Sequence, residues 1–259
     1  MQEFILNLIR NAGKKVLTYY GKLTEYDIKF KNPKDIVTTA DKEIEEFIKG
    51  EISKKFSRHT IIAEESVNKE KLGEDIWYID PIDGTTNFVH QFPFWGISIA
   101  YGKNNNDIRN SAIYFPVLNE LFWAAKGKGA FKNGIQIYVS KENNLINSLL
   151  STGFACLRAG WENNNLRYLN KILPLIRDIR RTGSACFDLC SVACGRVDGF
   201  WELNLSSWDI MAGILIVEEA GGKVSDFDGK NNYIEKREIL ATNGIIHNKI
   251  LEIFNELKR

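Results

Sequence analysis

The chain of 259 residues is 44% apolar, 12% aromatic and 26% charged, which excludes a disordered or fibrous protein and supplies enough side chains for one large core or two fused lobes. Thirty-four basic residues against 33 acidic ones leave a net charge of +1. No global field therefore steers the protein toward nucleic acid, anionic lipid or polyanions, and any charge that matters is local.

Met1 to Tyr20 sets Phe4, Ile5, Leu8, Ile9, Ala12, Val16 and Leu17 at helical spacing, with Glu3, Asn7 and Arg10 interrupting the apolar run. This predicts an amphipathic helix rather than a signal peptide. No stretch approaches the roughly 18 apolar residues of a membrane span, so a cytoplasmic protein is expected. A second helix is predicted over Thr38–Phe56, with Ile44, Phe47, Ile48, Ile52 and Phe56 on one period and Thr38 or Thr39 as its cap. Strands are predicted at 60–65, 76–80, 95–102, 111–115 and 120–125, and "KGKGAFKNG" after them reads as turn chemistry. The second half changes character. Helices are predicted within 163–176, 184–195, 208–222 and 248–259, and strands at 197–203 and 223–227.

Helices followed by a run of strands make the first half α+β, and alternation makes the second α/β. With no repeat, low-complexity tract or linker, one domain over 1–259 is expected, in halves of about 1–143 and 144–259. Cys186, Cys190 and Cys194 recur every four residues along one helix face, and Cys156 stands apart. No CxxC pair or nearby histidine supports zinc, so they read as small core residues with reduced thiols.

The stretch "WYIDPIDGTTNF" places Asp80 where an apolar strand ends. Pro81 lacks an amide hydrogen, which predicts a turn directly after Asp80, and Gly84 permits torsions denied to other residues. Two carboxylates held this close need a cation, a shared proton or wide solvation, and hard oxygen donors suit magnesium. The local alternative is an Asx turn at Asp83. Glu64 and Glu65 leave another strand, Asp209 begins a helix where capping alone would explain it, and Asp41 sits in a first turn where the helix dipole would. Together they offer ligands for more than one ion. "GKGAFKNG" lacks the phosphate-loop pattern, "TGSAC" lacks that of a serine hydrolase, and Arg180 and Arg181 read as a solvated face.

"WYIDPIDGTTNFVHQFPFWGISIA" and "WDIMAGILIVEEAGG" resemble the two signature motifs of the inositol monophosphatase family, with "DIVTTAD", "AEES" and "GRVDGFWE" in the expected order. "RRTGSACFDLCSVACGRVDGFWE" looks most like its bacterial branch. The resemblance implies a layered αβαβα sandwich and a magnesium-dependent, lithium-sensitive phosphomonoesterase with two to three ions per site. It places Glu64, Asp80 and the carbonyl of Ile82 on the first ion, and Asp80, Asp83 and Asp209 on the second, with Glu64 aiding a third. The nucleophile it implies is a metal-activated water oriented by Glu64 and Thr85, with Asp41 bonded to Thr85 and no covalent intermediate. Gly84 and Thr85 would contact phosphate, Gly183, Ser184 and Ala185 the inositol ring, Glu202 its hydroxyls, and Asp83 and Asp209 both substrate and metal.

Met211 departs from the motif, which favours a small residue there, and a larger side chain would shift that helix. Inositol monophosphate is the expected substrate. Fructose 1,6-bisphosphate, 3'-phosphoadenosine 5'-phosphate and histidinol phosphate are alternatives within the family. The resemblance also implies a homodimer, the lack of a long apolar stretch leads us to expect no membrane association, and some bacterial members act on RNA synthesis through the transcription machinery, a role the near-neutral charge does not itself support.

Overall fold

The computed structural model describes residues 1–32, 35–66, 75–103 and 107–257. Helices α1 (Gln2–Val16) and α2 (Thr39–Lys55) flank an antiparallel hairpin of β1 (Ile28–Asn32) and β2 (Asp35–Thr38). Then come β3 (Thr60–Ala63), β4 (Ile76–Asp83), the short α3 (Thr85–Val89), β5 (Gly96–Gly102), β6 (Ile108–Phe115), β7 (Glu120–Ala125), β8 (Ala130–Lys132) and β9 (Ile135–Ile137). The rest of the chain forms β10 (Leu149–Thr152), α4 (Ala155–Arg158), α5 (Asn165–Ile172), β11 (Asp178–Arg180), α6 (Ala185–Ala193), β12 (Gly199–Leu203), α7 (Ser207–Glu219), β13 (Lys223–Ser225), α8 (Tyr233–Lys236), β14 (Glu238–Thr242) and α9 (His247–Glu256).

Strands β3 to β9 form a seven-stranded sheet in sequence order, and the five-stranded second sheet runs β11-β10-β12-β14-β13. Three apolar cores separate five layers. The first joins α1 and α2 to the large sheet, and the second, built around α6 and α7, fills the space between the two sheets. The third packs α5 and α9 on the far face of the small sheet. This is the αβαβα order the resemblance implies.

β4 shows why the sequence reads as it does. Trp77 and Ile79 point into the first core while Ile76 and Tyr78 point into the second, so a strand covered on both faces appears as an unbroken apolar run. All nine residues of α6 are buried, and Gly213 on α7 lets the two central helices approach closely, since a Cβ there would lie 2.7 Å from Leu189 Cβ. Met211 is fully buried in the central core and α7 runs unbroken around it. The four thiols are free; Cys156, Cys186 and Cys190 are buried, Cys194 is half-buried, and desolvation pushes all four up.

The structure corrects several expectations. Within 126–134 lies a strand, β8, which forms a hairpin with β9 through Asn133 and Gly134, both at positive φ. The strands β1, β2, β9, β10, β11 and β14 and the short helices α3, α4 and α8 were not anticipated. Among the described residues no helix is long and apolar enough to cross a membrane.

Candidate metal centre and cavity

β4 pairs antiparallel with β5, matching Asp80 to Ser98 and then Asp83 to Gly96. Three steps along β4 thus meet two along β5, which is a bulge with one extra residue. The parity decides the chemistry. In a regular strand residues three apart point to opposite faces, whereas the bulge turns Asp80 and Asp83 toward the same cavity. Pro81 sits inside the bulge, where the ladder asks for no amide hydrogen. The expected turn after Asp80 is therefore wrong: the strand continues to Asp83. Inside the bulge the Ile82 amide donates to Asp80 Oδ1 at 3.0 Å.

Gly84 follows in the left-handed region at φ 86° and caps α3. A Cβ there would lie 3.0 Å from the Phe94 carbonyl and 3.3 Å from Ser184 Cβ, so both backbone and neighbours select glycine. The Thr85 hydroxyl lies 3.2 Å from Asp41 Oδ1 and 3.1 Å from the Ile82 carbonyl. Asp41 reaches it from the first turn of α2, where its Oδ2 accepts from the Thr38 amide at 2.8 Å and the Thr38 hydroxyl at 2.6 Å. One oxygen closes a capping box and the other faces the site.

Asp209 divides its oxygens similarly, with Oδ2 accepting from the Ser206 amide at 2.6 Å in the capping box of α7. Asp83 does not form the local Asx turn. Its Oδ2 accepts instead from the Ser184 hydroxyl and, at 2.7 Å, from the Cys186 amide, both at the start of α6. Glu202, on β12, accepts from the Ala155 amide at 2.9 Å. A Cβ on Gly153 would run into its carboxylate, so that glycine makes room for it.

One oxygen from each of Asp80, Asp83 and Asp209 lies within 4.8 Å of the others. At an effective dielectric near 20, each pair of full charges at that separation repels by roughly 3 kcal/mol, and three pairs together match the whole stability of a typical domain. The cluster cannot stay fully ionised without a compensating charge. Burial raises Asp80 well above the usual carboxylate range, and its strongest neighbours, Glu64, Asp83, Asp209 and Asp41, are all acidic. Burial also raises Asp209, with Glu64 and Asp83 adding to it, and raises Asp83 against the opposing donors at Ser184 and Cys186. Burial pushes Asp41 up to about 7 despite its Thr38 donors. Glu202 is likewise pushed up to about 7 by burial, opposed by the Ala155 amide, Arg158 and Arg181. A set of oxygen donors this short of positive charge fits a hard divalent cation.

A cavity of about 400 Å³ gathers Glu64, Asp80, Ile82, Asp83, Gly84, Thr85, Gly183, Ser184, Ala185, Glu202 and Asp209. Asp41 stands behind it, touching Thr85. Glu64, one residue beyond β3, lines the wall without joining the three convergent oxygens. Of the two arginines read as a solvated face, Arg180 pairs with Asp178 on the surface, whereas Arg181 lines the cavity. Sequence reasoning also missed Arg158, Asp188 and Arg237 in the wall. Arg237 donates to the Asn204 and Leu205 carbonyls and to Ser206, all at 3.2 Å, bracing the entry to α7. Asp188 is 2% exposed with Oδ1 unpartnered, and a lone carboxylate in the apolar run of α6 was the available signal.

The sequence profile described as the inositol monophosphatase family matches residues 1–259. The chain is 38% identical over 266 aligned positions to the Nus factor SuhB of Escherichia coli K12, covering all of this chain and 99% of that protein. It is 37% identical to the inositol-1-monophosphatase of Mesorhizobium japonicum over 93% of this chain and 91% of that one. Its fold superposes on an inositol monophosphatase from Anabaena with a TM-score of 0.87 at 38% identity, covering 98% and 95% of the two chains. A suhB extragenic suppressor protein from Bartonella henselae gives 0.90 at 36% identity over 97% of each.

Proposed function

The chain belongs to the inositol monophosphatase family and is a phosphatase of that family, and we propose that it hydrolyses inositol monophosphate with magnesium held by Asp80, Asp83, Asp209 and Glu64 and by the carbonyl of Ile82. The observation that carries this reading is the convergence of three carboxylates within 4.8 Å, Asp80 and Asp83 buried and Asp209 half-buried, in a cavity sized for a small ester. Magnesium, when bound, neutralises charge on the phosphoryl oxygens and lowers the pKa of water.

The chain's own groups supply the rest. The Thr85 hydroxyl, donating to Asp41 Oδ1, presents its lone pairs to the attacking water, and Glu64, which lines the same cavity, orients that water. Asp41, accepting from Thr85, fixes the orientation of that hydroxyl. The amides of Gly84 and Thr85 hold the phosphate, and their fixed positions cost no reorganisation. Gly183, Ser184 and Ala185 border the polyol, whose hydroxyls donate to Glu202. Asp83 and Asp209 face substrate and cation alike.

The deciding assay is phosphate release from inositol 1-phosphate, fructose 1,6-bisphosphate, 3'-phosphoadenosine 5'-phosphate, histidinol phosphate and glycerol 2-phosphate, with and without magnesium. Magnesium-dependent release favouring inositol 1-phosphate, suppressed by millimolar lithium and lost in Asp83→Asn, is the expected result. Preference for another ester would move the substrate and leave the chemistry. No release from any ester by folded protein would favour the second reading, association with the transcription machinery, which relatives named Nus factor SuhB support. A homodimer and a cytoplasmic location complete the proposal.

A further inference from the structure

α2 packs Ala40, Asp41, Ile44, Glu45, Ile48 and Ile52 against the large sheet. Glu45 is the anomaly in that stripe, a carboxylate 1% exposed that does not line the cavity. Buried carboxylates persist only where donors satisfy them. Here the donors come from a single short segment: the Glu65 amide donates to Oε2 at 2.7 Å and the Ser66 hydroxyl to Oε1. Lys49, one turn along α2, donates to Ser66 Oγ at 2.8 Å and lies 3.8 Å from Glu45 Oε1, supplying the counter-charge.

That segment begins at Glu64. β3 ends at Ala63, and beyond the ladder the Glu64 amide reaches the Ile79 carbonyl at 3.3 Å, near the limit of a hydrogen bond. The next fixed point along the chain is the clamp on residues 65 and 66. We propose that Glu45 is a positioning residue for the metal centre: by holding the Glu65 amide and the Ser66 hydroxyl it sets the path of the main chain after Glu64 and so keeps the Glu64 carboxylate on the cavity wall. A leucine at 45 would extend the Ile44 and Ile48 stripe with no desolvation cost, so burial alone does not explain the residue. Geometry does. The inference rests on the metal-centre reading of the cavity.

The test uses the full chain, with Mn²⁺ as the probe in isothermal titration calorimetry beside steady-state phosphate release. Glu45→Leu is expected to weaken Mn²⁺ binding by about 10- to 100-fold, the usual effect of losing a group that orients a ligand. At saturating Mn²⁺ it lowers kcat and leaves KM for the ester unmoved. Glu45→Gln, whose carbonyl oxygen still accepts from the Glu65 amide, restores most of the affinity. Wild-type Mn²⁺ affinity in Glu45→Leu would overturn the inference, as would equal losses in the Leu and Gln variants, which would assign the effect to charge. Should Glu45→Leu fail to fold, Ser66→Ala removes one donor and leaves α2 intact. A several-fold weaker affinity supports the clamp, and an unchanged one overturns it. A wild-type chain that binds no Mn²⁺ at all is a separate outcome, which removes the metal-centre reading and this inference with it.

Discussion

Burial lifts the Glu202 carboxyl from its ordinary 4.5 to about 7, so above neutrality the folded chain carries there a charge that the unfolded chain bears more cheaply in water. The folded form binds the extra proton between those two values, and stability therefore falls as pH rises through that window. Glu202→Gln keeps an acceptor for the Ala155 amide and removes the charge. It should raise unfolding stability by up to about 3 kcal/mol at pH 8, an advantage that vanishes near pH 4.5, while kcat/KM for a polyol phosphate falls by roughly 10- to 100-fold. Urea melts at the two pH values and one kinetic series check both halves of that statement. Single residues of this kind were legible in the sequence where charge stood against its surroundings: Asp80 and Asp83 at the end of an apolar run, Asp209 opening an apolar helix. Arg158 and Arg181 were not. An arginine on the cavity wall and one in solvent look alike along the chain, because only the packing of α4 and of the segment after β11 decides which is which.

At the scale of elements, the close crossing of α6 and α7 holds the centre together, since each carries a site group at its N-terminus, Ser184 on the one and Asp209 on the other. Gly213→Ala gains up to about 1 kcal/mol of helix propensity but drives a methyl into Leu189, which is fully buried and cannot swing aside. Overpacking of this sort costs about 1–3 kcal/mol. The clash should win, giving a lower urea midpoint and, as the helix ends part, a higher magnesium requirement. The helices were legible because periods of apolar residues survive in α1 and α2, and because the runs in α6 and α7 are long and end in glycines. Three short strands, β10, β11 and β14, escaped for a physical reason. With three to five residues each, they are too short to show a period: β10 and β14 are almost wholly buried and carry no alternation, β11 is an exposed edge strand, and all three borrow their identity from neighbours far away in sequence. The bulge at Pro81 was read as a stop because proline rules out a ladder amide without saying whether the ladder needs one there.

For the molecule as a whole, the cluster is a site of stored repulsion that a divalent cation should release. Magnesium at about 100 times its dissociation constant would add roughly 2.7 kcal/mol of stability, a rise of some 5–10 °C in Tm for a chain of this size. In Asp80→Asn the rise should disappear, while the metal-free Tm increases as one carboxylate stops repelling the others and phosphate release falls at least about 100-fold. A magnesium-independent Tm in the wild-type chain would count against the centre. The cluster also spans the architecture: Asp80 and Asp83 end a strand of the first sheet, and Asp209 opens a helix far along the chain, between the two sheets. Closing so long a loop is entropically uphill until packing across the α6 and α7 layer rewards it. The ligand set is therefore complete only once that packing has formed. A chain caught with only its first sheet formed lacks the Asp209 oxygen, and grips a cation less well. Tight cation binding thus marks chains whose two sheets have already joined, so catalytic competence arrives together with completed folding.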